Sequence, residues 1–182
     1  MSNIFRKFYN GLRRLGLSEA GAATVEFVVV FPFFVGVFVS AYEVAVMNMR
    51  AVMLERATDV VVREIRLTGG GDLNYDRVVL EICNRTLMIP QCVDSTKIEL
   101  RPVNTTTWDG LTNDLSCIRR EETIQAPIRF RNGAENEMML MRVCSIVQPL
   151  FPTFGVGRSI PRDESGENYR LIASTAFVNE PQ

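Results

Sequence analysis

The chain contains no histidine. That removes the commonest general acid and base, the Ser-His-Asp and Cys-His nucleophile systems, and every zinc site with an imidazole ligand. An excess of charge of either sign is lacking too. With 20 Lys and Arg against 21 Asp and Glu, a net charge of −1, the composition speaks against a nucleic-acid partner, which calls for a basic face. The four cysteines, Cys83, Cys92, Cys117 and Cys144, are separated by 8, 24 and 26 residues, so no C-x₂₋₄-C metal knuckle is present. Internal repeats and low-complexity tracts are absent, and adjacent acids such as Glu121-Glu122 sit in polar stretches typical of solvated surface. Neither an enzyme nor a resident cofactor or metal is expected.

What is present is distributed unevenly. Residues 1–21 carry Arg6, Lys7, Arg13 and Arg14 against Glu19 alone, and between Glu26 and Glu43 lies FVVVFPFFVGVFVSAY, sixteen residues without a charge. At about 1.5 Å per residue this run covers roughly 24 Å of a hydrocarbon layer about 30 Å thick. Residues 22–25 and 44–47 extend it. The expectation is one membrane-spanning helix in contact with lipid. Because the basic flank precedes it, the N-terminus is placed in the cytoplasm and everything after about Arg50 outside.

Val44, Met47, Ala51, Leu54, Thr58, Val61 and Ile65 recur at alternating spacings of three and four, a heptad seam. Arg50, Glu55, Arg56, Asp59, Arg63, Glu64 and Arg66 are assigned to the other faces. One helix is therefore expected over 22–68, transmembrane to about residue 47 and amphipathic beyond, with a kink at Pro32 and a glycine joint at 69–71 as its stop. The seam packs either on the chain's own C-terminal domain, the commoner use of an apolar stripe, or on a partner helix.

The remaining residues, 72–182, read as a small head. Val78, Val79, Ile82 and Leu87 follow a helical period, with Asn74 or Asp76 near the cap. Strand-like runs follow at Lys97–Val103, Thr123–Arg131, Met139–Val147 and Tyr169–Val178, separated by turn-rich segments that include Pro149–Gly157. Trp108, in a Thr-rich loop, reads as a core plug. No helical segment separates the later strands, so the fold class is α+β with an antiparallel sheet and helices on one side. All four cysteines fall in the part assigned outside the membrane, where conditions are oxidising and an even number fits two disulfides. Three pairings are open.

The membrane junction, SEAGAATVEFVVVFPFFV, is the most specific segment. Glu26 sits within the first turns of the apolar stretch, where a buried carboxylate costs about 2.5–3.5 kcal/mol. Cleavage after Gly21 would place a new ammonium at Ala22, one helical turn from Glu26 in the same subunit or beside it in a neighbour. The two charges could then neutralise each other in the low-dielectric layer.

These residues resemble a class III prepilin leader, with glycine at the cut and glutamate fifth in the mature chain. More closely, GAATVEFVVVFPFFVGVFVSAYEV is similar to the TadE-like domain of the tight-adherence (Flp/Tad) pilus system, a likeness covering about residues 10–68. The closing ASTAFVNEP, Ala173 to Pro181, resembles C-terminal stretches of such proteins. The resemblance implies a pseudopilin or minor pilin that takes part in pilus assembly, adhesion and biofilm formation. Gly21 would precede the cut, Ala22 would be the mature N-terminus, Glu26 the pilin glutamate, and residues 1–21 the leader. The implied partners are the prepilin peptidase, other pilins and pseudopilins, and the inner-membrane assembly platform. The implied location is the bacterial inner membrane with a periplasmic head, or the pilus tip at the cell surface. Major pilins of this system are far shorter, so the bulk filament subunit is not implied. Two alternatives remain open: an uncleaved single-pass scaffold of the pilus machinery, and a secretory signal cut after Val39-Ser40-Ala41.

Overall fold

The computed structural model describes residues 19–67, 73–109, 111, 117, 130–163 and 165–180. The joint 69–71 and most of the expected strand Thr123–Arg131 lie outside the described residues. Helix α1 runs over Glu19–Leu67, 49 residues and about 73 Å long. It starts three residues before the expected 22 and ends one before 68. Pro32 lies inside it and the helical run continues on both sides, so the missing backbone donor does not divide it. Beyond it lie α2 (Tyr75–Arg85), α3 (Cys92–Ser95), β1 (Thr96–Pro102), β2 (Met138–Val147), α4 (Gly155–Ser159) and β3 (Tyr169–Val178). The class is α+β, as expected.

The three strands form one antiparallel sheet in the order β1-β2-β3. Ile98 stands opposite Val143 on one side of β2 and Val143 opposite Ala173 on the other. Alternation decides the faces. Ile98 and Leu100, then Met139, Met141 and Val143, then Leu171, Ala173 and Phe177 point to one core with Leu54, Val61 and Ile65 of α1 and Val79 and Ile82 of α2. The central strand β2 is covered on its second face as well, where Cys144 and Ile146 pack with Cys117. On that face Glu99 lies between Arg101 at 3.4 Å and Arg142 at 3.9 Å. β3 has a covered face and an open one, and its burial alternates accordingly.

Asn74 caps α2 by accepting the Asp76 N–H at 2.9 Å, satisfying one of the donors that a helix start leaves free. Leu87 departs from expectation. It falls beyond the helix end and is 83% exposed, because the chain turns after Thr86 toward α3. The Glu81 carboxylate, with Glu64 across from it, holds the Arg85 guanidinium above its ordinary value, and Arg85 joins α2 to α1 through its pair with Glu64 at 2.8 Å. Trp108 is not a core plug. It is 57% exposed at φ +58° in a turn closed by its N–H on Asn104 O. Of the segment expected as a fourth strand, Phe130 makes a single parallel bridge to Leu100.

Candidate functional site: the membrane junction

Two halves of α1 have opposite surroundings. From Ala23 to Tyr42 nearly every side chain is exposed, including Phe33 and Phe38 at 72% each. From Glu43 onward one stripe is buried: Glu43, Val46, Arg50, Leu54, Ala57, Thr58, Val61, Val62 and Ile65. The head therefore occupies the lower seam itself, and the own-domain reading of the seam holds from Leu54 to Ile65. Among the described residues α1 is the one helix long and apolar enough to cross a membrane. Each uncovered phenylalanine or valine would gain about 1.5–3 kcal/mol on leaving water, so the exposed half calls for an apolar environment.

At the start of this half, the Gly21–Ala22 bond lies within the first turn of α1; the side-chain surroundings of residues 19–22 are outside the described set. Glu26 is exposed among Val25, Phe27 and Val28. On a helix, positions 22 and 26 are one turn apart and share a face, the spacing that the pairing argument requires.

At the other end the seam departs from the expected register. Val44 is 41% exposed, whereas Glu43 and Arg50, seven residues apart, are buried. Arg50 is expected on a face other than the seam. Instead its guanidinium donates to Met88 O at 3.1 Å, Gln148 O at 3.2 Å and the Tyr169 hydroxyl at 3.0 Å. Three acceptors from three segments thus converge on one cation, which compensates its desolvation. The Glu43 carboxylate accepts the backbone N–H groups of Leu150 at 3.1 Å and Phe151 at 2.9 Å. Spacing alone gave a partial signal for this pair: two charges a heptad apart beside an apolar seam share the seam's face.

The four cysteines form two disulfides, Cys83–Cys92 and Cys117–Cys144, with Cα separations of 5.6 and 5.8 Å. The first ties the end of α2 to α3. The second holds residue 117 against the second face of β2. No group of three or more Cys, Asp or Glu side chains among the described residues is placed to hold a metal ion. No protein-family model, curated protein or solved structure matches the chain.

Proposed function

We propose that this chain is a minor pilin, or pseudopilin, of the tight-adherence (Flp/Tad) type, anchored in the bacterial inner membrane and acting in pilus assembly. The supporting observation is the division of α1: an apolar half left largely exposed by its own chain, continuous with a half built into a disulfide-bonded head. A helix of this kind has one surface to give to lipid or to neighbouring helices and another already used. Because the head covers the seam beyond Glu43, assembly contacts with other pilins are assigned to residues 23–42. Processing after Gly21 would release the basic leader and place the Ala22 ammonium one turn from Glu26. The partners are the prepilin peptidase, other pilins and the inner-membrane assembly platform. The head resides in the periplasm, or at the pilus tip once assembled.

The test is intact-mass measurement on protein purified from the native host, together with fractionation into sheared pili and inner membrane. The expected mature chain begins at Ala22 and is detected in the sheared fraction. A native N-terminus at Met1, Ser2 or Tyr42 overturns the reading. A mature chain found only in the inner membrane assigns it to the assembly scaffold instead of the fibre.

A further inference from the structure

The buried stripe of α1 extends into the apolar run. Gly36, Val39 and Ser40 are half-buried, and what covers that part of α1 is the segment 150–157. A Cβ on Gly36 would stand 3.7 Å from the Phe154 ring. Gly155, at φ +57°, lies so close that its Cβ would meet Ser40 Oγ at 2.4 Å, and Ser40 Oγ is itself turned back onto Gly36 O at 2.7 Å. A Cβ on Gly157 would meet Phe151 O at 2.2 Å. Glycine at 155 lets the loop close onto the helix at Ser40, and glycine at 157 lets the loop fold tightly on its own Phe151 carbonyl, so that it lies against the helix from Gly36 to Glu43, about 10 Å of its length. On its outer side the loop presents Leu150, Phe151, Phe154 and Val156, each 37–47% exposed. Tyr42 of α1 joins them, edge-on to Phe151 at 6.4 Å.

We propose that Leu150, Phe151, Phe154 and Val156 form a second membrane contact, a foot of the head seated in the acyl–headgroup boundary of the outer leaflet, with phospholipid as its occupant. The inference rests on the membrane-spanning reading of α1. A hydrocarbon layer about 30 Å thick takes up roughly twenty helical residues. If it opens near Ala23, it ends near Tyr42, so a loop held against Gly36–Glu43 lies in its outermost part. From Gln148 to Gly157 the loop has no charged residue, and the next, Arg158, is exposed, as suits the headgroup level.

The backbone points the same way. Irregular chain tolerates an apolar medium only where its polar groups are satisfied within the protein. Glu43 takes the N–H groups of Leu150 and Phe151, and Pro152 has none to satisfy. Arg162 donates to Pro152 O at 3.0 Å and Gly157 O at 2.7 Å. A buried carboxylate and a guanidinium thus serve two of the loop's donors and two of its acceptors. Lipid is favoured over a protein occupant because the foot's apolar side is continuous with the exposed side chains of α1 at the same depth.

The test is tryptophan quenching by brominated phosphatidylcholine, with the full chain reconstituted in phosphatidylcholine–phosphatidylglycerol vesicles. Trp108→Phe removes the only native tryptophan. Single tryptophans are then placed at Val29, Phe154 and Val178. Position 29 reports the span, and position 178 the far end of β3. The expected result is loss of emission at 29 and 154 and none at 178. Quenching at 29 with position 154 behaving like 178 overturns the foot and leaves the span standing. An unquenched position 29 overturns the span and the foot together. Shielding of position 154 that grows with the protein-to-lipid ratio identifies a second copy as the occupant and overturns the lipid assignment.

Discussion

Glu43 Oε2 accepts the Phe151 N–H at 2.9 Å across 108 residues of sequence. The first acid after the apolar run is thereby part of the head's architecture and not a solvent-facing flank of the apolar half of α1. Replacing it by leucine would leave two backbone donors at Leu150 and Phe151 unsatisfied, at about 1–3 kcal/mol each. Glu43→Leu should therefore destabilise the chain more than Glu43→Gln, which keeps one acceptor oxygen. Thermal unfolding should rank the two, and amide exchange at Leu150 and Phe151 should accelerate in both. Unchanged protection of those amides in Glu43→Leu would refute the assignment.

Arg50 and Tyr169 offer a graded comparison. Arg50→Met strands the Met88 and Gln148 carbonyls and the Tyr169 hydroxyl, whereas Tyr169→Phe removes a single contact. With hydrogen bonds to charged groups worth about 1.5–3 kcal/mol, Arg50→Met should lower stability by at least that amount and Tyr169→Phe by less. Denaturant unfolding of the two variants checks the order. Equal losses would mean that the hydroxyl is the dominant partner.

The disulfides predict a second order. Cys83–Cys92 closes a span of 9 residues and Cys117–Cys144 one of 27. Loop-closure entropy makes the longer loop more stabilising by about 1 kcal/mol, within individual values near 3. The Cys117→Ser/Cys144→Ser variant should therefore melt below Cys83→Ser/Cys92→Ser. Non-reducing peptide mapping of the native protein should find no free thiol. Two or more free cysteines would count against the extracytoplasmic placement of the head.

Glu26 tests the assembly reading. If its carboxylate compensates the Ala22 ammonium of a neighbour, Glu26→Gln leaves that ammonium unpaired, at about 3–5 kcal/mol. Cleavage should continue while pilus production fails, scored by mass and microscopy in the same cells. Normal pili would rule out the pairing mechanism. Loss of pili together with loss of cleavage would make Glu26 a recognition residue for the peptidase. Gly21→Leu should retain the leader.

Much of the fold is legible in the sequence, for identifiable reasons. β3 was readable because it alternates on a half-covered sheet, and its limits coincide with the expected Tyr169–Val178. Asn74 was readable because capping is local chemistry. Leu87 and Trp108 were misplaced because their positions depend on where the chain turns after Thr86 and Asn104, which periodicity does not encode. Arg50, expected on another face of α1, lies instead on its buried stripe. Its acceptors come from residues 88, 148 and 169, and no local pattern assembles them. The foot escapes sequence reading for a related reason: Pro149–Gly157 reads as a turn, and the close approach of Gly155 to Ser40 that seats it on α1 is not encoded locally.

The two disulfides leave one joint without a covalent tie, since neither includes a cysteine of α1. β3 runs alongside that helix, from Tyr169 at Arg50 to Glu180 at Arg66, the latter pair 2.9 Å apart. On the membrane-spanning reading of α1, a pull along its axis would load the helix–strand seam in shear, with its packed contacts resisting together and not peeled one after another. Tension would be borne by side-chain interlock. The limiting strength of such a tether would then be set by the fit of Leu54, Val61 and Ile65 against the sheet, while the sulfur bridges keep the head in shape behind it.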